Sequence, residues 1–193
     1  MWANFCRFSL IKTQCTRMVS DSSEHLKFMK IALDEANKCV PTPTAFCVGC
    51  VIAIPVRSAT GAEEKTVLST GYSRELEGNT HAEANALAKA QGLGSAEIEK
   101  FFPEGIPSDG GVGELLKEAD VYTTLEPCSI RTSGLPACAD ALVGAHVRRC
   151  YIGVAEPDDF VICEGADKLR RGGVEVVWLK GLERECLNSA RRR

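Results

Sequence analysis

The chain has 193 residues, 45% apolar and 25% charged, which suits one compact domain with a sizeable core and leaves no room for a second full domain. Lys and Arg number 23 against 26 Asp and Glu, so a formal charge of -3 supplies no overall positive field for a nucleic-acid backbone; a small-molecule partner and no nucleic acid are expected. No apolar run approaches the roughly 18 residues of a membrane span, and no secretory leader is evident. A soluble cytoplasmic protein without a membrane partner is therefore expected, with a nuclear pool equally compatible, and ten cysteines in such a chain read as reduced thiols and metal ligands rather than a disulfide framework. Residues 1–20 stand apart as an N-terminal extension: Arg7, Lys12 and Arg17 occur with no acid before Asp21. That composition also suits a mitochondrial transit peptide, but the segment is short and Met18 offers a second start, so an untargeted tail before a functional domain of 21–193 is the expectation.

Asp21 and Glu24 form a capping-box pattern ahead of Leu26, Met29, Ile31, Ala32 and Ala36 at helical spacing, which predicts a helix over 22–39 stopped by Pro41 and Pro43. Phe46 to Ile54 is a nearly continuous apolar run and reads as a buried strand, with Thr66 to Tyr72 as its neighbour. Thr80 is placed to cap a second helix through Gln91, in which Ala82, Ala84, Ala86, Leu87, Ala88 and Ala90 give high helix propensity and a smooth packing face. Residues 92–113, bearing Gly and Pro, read as a surface excursion with a short helix at Ala96 to Phe102. Strands follow at Val121–Leu125, Val147–Val154 and Val174–Leu179, separated by helices at Ala137–Gly144 and Gly165–Arg171. That alternation implies parallel strands with crossover helices, and so an α/β protein: a three-layer α/β/α sandwich on a mixed, largely parallel five-stranded sheet.

The chemistry is carried by His81-Ala82-Glu83 at the start of one helix and by Cys128 and Cys138 before another. One imidazole and two thiolates are three zinc ligands, and a fourth position left to water marks a catalytic rather than a structural site. Zinc lowers the pKa of that water to about 7, making hydroxide available at neutral pH. Glu83, two residues from His81, is placed to shuttle the proton from water to a ring nitrogen and a departing amine. Each piece is unremarkable alone: a lone histidine on an alanine-rich helix is more often structural, and Cys138 would pass as a buried small hydrophobe. His-x-Glu, then Thr-Leu-Glu-Pro-Cys after a strand, then a second cysteine is the signature of zinc-dependent base deaminases, with a longer cysteine spacing. Cys47 and Cys50 would point to opposite faces of a strand, so they read as structural thiols.

At His81-Ala82-Glu83 and Thr124-Leu125-Glu126-Pro127-Cys128 the chain resembles the cytidine-deaminase-like superfamily. The nine residues between the cysteines, Pro136-Ala137-Cys138-Ala139-Asp140-Ala141-Leu142, Glu156-Pro157-Asp158, and Gly165 with Gly172-Gly173-Val174-Glu175-Val176 look like its riboflavin-pathway pyrimidine deaminases. Thr42 between the prolines and Ser73 two residues after Gly71 depart from the bacterial branch, while Thr44-Ala45-Phe46-Cys47-Val48-Gly49, Gly71 to Leu76, Gly78-Asn79-Thr80 and Arg131-Thr132-Ser133-Gly134 are similar to the fungal one. The reductase that follows in bacteria and the pseudouridine synthase of many fungal relatives have no counterpart in these 193 residues. The resemblance implies a zinc-dependent deaminase domain over 21–193 that acts on the ribitylamino pyrimidine phosphate of riboflavin synthesis, and a homodimer. It implies zinc at His81, Cys128 and Cys138 and Glu83 as the proton shuttle; the bacterial substrate contacts do not carry over at Thr42 and Ser73, and substrate contacts are expected at Asn79, Arg131, Arg74, Thr44 and Ser73. By residue type, Asn79 suits a pyrimidine edge, since an amide offers donors and an acceptor, or else a turn beside Gly78. Arg131 and Arg74 suit a phosphate, or solvent. The rival readings are a superfamily deaminase of a nucleoside, nucleotide or tRNA adenosine, against which the acidic balance argues, and a noncatalytic zinc-stabilised subunit, against which Glu83 argues. Arg191, Arg192 and Arg193 are a small basic patch in favour of the former.

Overall fold

The computed structural model describes residues 22–57, 63–101, 111–131, 134–157 and 163–192. Helix α1, Ser22–Asn37, buries Phe28, Met29, Ala32 and Ala36, a stripe at helical spacing. Strands β1 (Gly49–Arg57) and β2 (Glu63–Tyr72) pair antiparallel, with an irregularity between Ile52 and Ala53 that leaves Leu68 as the extra residue of β2. The remaining strands are β3 (Asp120–Leu125), β4 (Arg149–Val154) and β5 (Glu175–Trp178). The five form one sheet in the order β2-β1-β3-β4-β5, in which β1 is antiparallel to both neighbours while β3, β4 and β5 run parallel. Four strands thus point one way and β1 alone is reversed, as a mixed, largely parallel sheet requires.

Helices α2 (Ala82–Gln91), α4 (Val112–Lys117), α5 (Cys138–Gly144) and α6 (Gly165–Arg171) share a core with Cys50, Ile52, Ile54, Val121, Cys150 and Ile152 on one face of the sheet; the short α3 (Ser95–Ile98) adds Ile98 to it. On the other face α1 and α7 (Glu183–Ala190) cover Val51, Ala53, Tyr122 and Tyr151. Alternate residues of β1, β3 and β4 serve opposite layers, as the period of a strand dictates, which completes the three-layer α/β/α sandwich.

Several sequence expectations shift. Residues 46–48 are apolar and buried or half-buried yet lie before β1: Cys47 N–H donates to Ala190 O at 3.0 Å, Val48 N–H to Ser73 Oγ at 3.1 Å, and Ser73 N–H to Val48 O at 2.9 Å. The C-terminal helix and a turn, not a neighbouring strand, take their backbone groups. Thr80 does not cap α2; His81 occupies that position without a side-chain cap, and the Thr80 hydroxyl donates to Leu76 O and accepts from Asn85 Nδ2. Ala88 is exposed, and Asn85 and Glu83 are buried alongside Ala82, Ala86, Leu87 and Ala90. Helices α4 and α7 had no counterpart in the sequence reading. Asp21 of the capping box, the 1–20 extension, Phe102, Asp158 and Arg193 lie outside the described residues.

Candidate active site

Three chain segments meet at the carboxyl ends of β2, β3 and β4, where open α/β sheets place their ligand crevices. From β2 the chain turns through Ser73–Thr80 into α2. A Cβ on Gly71 would stand 2.3 Å from Ala82 O and 2.5 Å from Ala86 N, so only glycine lets the first turn of α2 lie against β2. Asn85 fastens that seat by donating to Tyr72 O at 2.8 Å. His81 and Glu83 are thereby delivered to the end of β3, beside the Glu126-Pro127-Cys128 turn.

His81 Nδ1 lies 3.6 Å from Cys128 Sγ and 3.4 Å from Cys138 Sγ, and the three ligand atoms lie within 4.8 Å of one another. A tetrahedral zinc with Zn–N near 2.0–2.1 Å and Zn–S near 2.3 Å sets N···S at about 3.6 Å, so the donor set fits that ion in type and spacing. A hydrogen bond from the Cys138 thiol, aided by His81 and by the Cys138 N–H at 3.3 Å, outweighs burial and pulls the Cys128 thiol down to about 4, whereas the same bond and burial push Cys138 well above its ordinary value. The direction of the Cys128 shift favours the thiolate, the form that binds metal.

Glu83 is 4% exposed and projects to the same point. Burial, and then the Cys128 thiolate, raise its carboxyl above the ordinary range, against the opposing pull of His81 and of hydrogen bonds. Thr123 Oγ1 stands 2.9 Å from Glu83 Oε1 and 2.9 Å from Leu125 O. Its single proton serves one acceptor at a time, so a protonated Glu83 can donate to Thr123 while Thr123 donates to Leu125 O.

A cavity of about 170 Å³ opens in front of these groups, an order of magnitude beyond what one water needs. Thr44, Ser73, Arg74, Asn79 and Arg131 all line it, together with His81, Glu83 and Cys128. Their surroundings differ. Arg74, at a φ of 61°, donates to Phe46 O at 3.0 Å and Val40 O at 2.8 Å, so its guanidinium chiefly pins the 40–46 segment. The Ser73 hydroxyl accepts from Val48 N, while Thr44 and Asn79 are exposed at the mouth. Arg131 donates to Asn79 O at 2.8 Å and its Nε is buried without a hydrogen-bond partner among the described residues. Cys47 and Cys50 are buried free thiols; Cys47 precedes the strand, so the expectation of structural thiols stands although its argument from strand geometry does not apply.

Sequence reasoning passed over Phe46, Ile130, Glu126 and Glu156, which also line the cavity. Burial raises the Glu156 carboxyl above its ordinary range. Its position two residues beyond the end of β4 was a usable signal, since strand ends line such crevices. Phe46 was concealed by its assignment to a strand. Glu126 is structural in part, accepting from Ala166 N at 2.8 Å.

The His/Cys/Cys ligand spacing, the buried carboxylate beside it and the mixed sheet are the features of a zinc-binding deaminase domain. The family model for the cytidine and deoxycytidylate deaminase zinc-binding region matches residues 22–154, and the chain belongs to that family. Within it, the chain is 40% identical over 166 residues to the diaminohydroxyphosphoribosylamino-pyrimidine deaminase of Schizosaccharomyces pombe, covering 86% of this chain and 35% of the relative. It is 30% identical over 153 residues to the riboflavin biosynthesis protein RibD of Aquifex aeolicus, covering 77% and 33%. The chain therefore spans about a third of the length of these curated relatives. The crystal structure of a C-terminal deletion mutant of Aspergillus oryzae Rib2 deaminase superposes with a TM-score of 0.65 at 30% identity, covering 86% of this chain and 90% of that one, and the same deaminase is also known in complex with DARIPP.

Proposed function

We propose that the chain hydrolyses 2,5-diamino-6-ribitylamino-4(3H)-pyrimidinone 5'-phosphate to 5-amino-6-ribitylaminouracil 5'-phosphate and ammonia, a step of riboflavin synthesis. The observation that carries this reading is the convergence of His81, Cys128 and Cys138 beside a buried Glu83 at the floor of a cavity large enough for a heterocycle with a chain attached. The S. pombe relative and the DARIPP complex of the Aspergillus deaminase support the substrate class. Zinc, when bound, supplies a Lewis acid that makes water a nucleophile near neutral pH. Glu83 takes the proton from the attacking water at a carboxylate oxygen and returns it to the ring nitrogen, then carries the remaining hydroxyl proton to the amino group; the C–N bond breaks as the carbonyl forms and ammonia leaves, so one water is consumed per ammonia released. Its dry position and its Thr123 partner hold the carboxyl ready to exchange a proton.

Asn79 presents its amide at the mouth, where it can match donor and acceptor groups on the pyrimidine edge. Arg131 binds the phosphate, with Arg74 as the second cation, and Thr44 and Ser73 complete the wall. The exposed side chains of Val40, Leu76, Ile130 and Leu135 suit a homodimer, which sedimentation velocity would show as a doubled mass. A second reading, in which the unreduced ribosyl compound is the substrate, is favoured by the S. pombe relative, a diaminohydroxyphosphoribosylamino-pyrimidine deaminase. Ammonia release from the zinc-loaded protein with each compound decides: turnover of the ribityl compound well above the ribosyl one supports the proposal, and the reverse preference supports the second reading. No turnover of either overturns both.

A further inference from the structure

The two cysteines of the metal site lie on separate segments, with nine residues between them. Spacings of two to four residues, common in structural zinc sites, hold two thiolates together by local geometry, and a longer loop leaves their relative position to be set from elsewhere. In this fold the start of α6 reaches the residues on both sides of Cys128. Ala166 N–H donates to Glu126 Oε1 at 2.8 Å, the Cys163 thiol approaches Pro127 O at 3.5 Å, and Glu164 N–H donates to Ser129 Oγ at 3.2 Å. Gly165 lies so close to this turn that a Cβ would stand 1.7 Å from Pro127 O. One turn further along, Lys168 Nζ donates to Ser129 O at 3.0 Å and to Asp140 Oδ2 at 2.6 Å. Asp140 is the third residue of α5, the helix that begins at Cys138. A single ammonium thus joins the residue after the first thiolate to the helix that carries the second.

We propose that Lys168 is a positioning residue of the zinc site, holding the Cys128 turn and the start of α5 at the separation the metal requires. The proposal rests on His81, Cys128 and Cys138 as zinc ligands. Side-chain exposures of 33% for Lys168 and 49% for Asp140 make the pair a weak contributor to folding as such, which separates the two roles experimentally. A residue that merely stabilises the fold lowers metal-free stability; a residue that sets the separation of two ligands lowers metal affinity and leaves the metal-free fold nearly unchanged.

The test is zinc affinity of the full chain, read by competition with a chromogenic chelator, beside the melting temperature of the metal-free protein. Lys168→Met should weaken zinc about tenfold, the lower end of what outer-layer partners of metal ligands contribute, with little change in metal-free melting. Asp140→Asn should show the same loss, and the double variant no more than either alone, because both break one link. Lys168→Arg, which keeps the charge and the donors, should recover most of the affinity. Equal zinc binding by Lys168→Met and the parent overturns the proposal, as does a fall in metal-free stability that accounts for the whole change. Cys138→Ser in the same assay separates the underlying reading: if it binds zinc as the parent does, or the parent takes up none, the ligand set itself is wrong and the clamp fails with it.

Discussion

Strand β3 carries a buried polar cluster at each end, and the two are wired differently. At its start Asp120 is fully buried, with Lys65 Nζ 3.0 Å from one oxygen and Arg148 Nη2 3.0 Å from the other, and Lys65 reaches on to Glu24 at 3.2 Å. Two residues on, the Tyr122 hydroxyl meets His25 Nδ1 at 2.8 Å, and Tyr151, which accepts from Arg149 Nη1 at 2.9 Å, meets His25 Nε2 at 3.1 Å. The Tyr122 and Tyr151 rings stack at 4.7 Å, and Tyr151 stacks on His25 at 4.2 Å. At the far end of β3, His81, Cys128 and Cys138 bring their ligand atoms within 4.8 Å of one another beside an open cavity that Glu83 also lines. Perturbed titration does not tell the two apart: burial pushes Tyr122 up and His25 down at one end as it pushes Glu83 up at the other. The distinction lies in where the donors and acceptors point. The first cluster spends them on one another; the second aims its ligand atoms at a common position next to space for a substrate.

The largest effect is expected for Glu83→Gln, which should lower kcat for ammonia release by about a thousandfold, the scale of a lost acid–base group, while zinc content stays at the parent level. Next is Asp120→Asn at the opposite end. Leaving Lys65 and Arg148 without their buried partner should cost about 3 kcal/mol in urea unfolding, with kcat of the folded fraction unchanged. A matching loss of kcat there would show that the two ends are coupled.

Arg131→Met sharpens the comparison within the site. Loss of charge-assisted bonds to a phosphate should raise KM for the phosphorylated pyrimidine about tenfold to a hundredfold, leaving KM for its dephosphorylated form unchanged. The smallest effect is on pH dependence. Burial, then Lys65, holds the His25 pKa below its ordinary 6.5, so the folded state binds this proton less well than the unfolded chain. The neutral-histidine contribution is therefore complete above pH 6.5 and is lost as the pH falls below it through the folded-state value. Stability measured down that range should decline less steeply in His25→Gln than in the parent.

Much of this was legible in the chain because the signals are local. A histidine and a glutamate two apart at a helix start share one end of that helix whatever surrounds it, and the β-α alternation after residue 120 implies parallel strands by handedness alone. The first helix, expected over 22–39 and found over 22–37, and the one over 165–171 followed from spacing and composition. Helix α7 did not, because among Glu183 to Ala190 only Cys186, Ser189 and Ala190 are buried, a weak apolar pattern. The start of β1 was misplaced for a related reason: Phe46 to Val48 have the composition of a strand, but the backbone groups that complete them come from Ala190 and Ser73, far away in sequence.

The ligand types, a carboxylate two residues from the histidine and the fold class could be read along the chain, since these depend on residue chemistry and on periods of two and about 3.6 that neighbouring residues already express. Only the packed structure shows that three ligand atoms from three separate segments lie within 4.8 Å of one another, that Arg74 is largely occupied by the carbonyls of Val40 and Phe46, and that Phe46 and Glu156 share the cavity wall. Those facts are distances between residues far apart along the chain, and only the packing of helices against both faces of the sheet sets them.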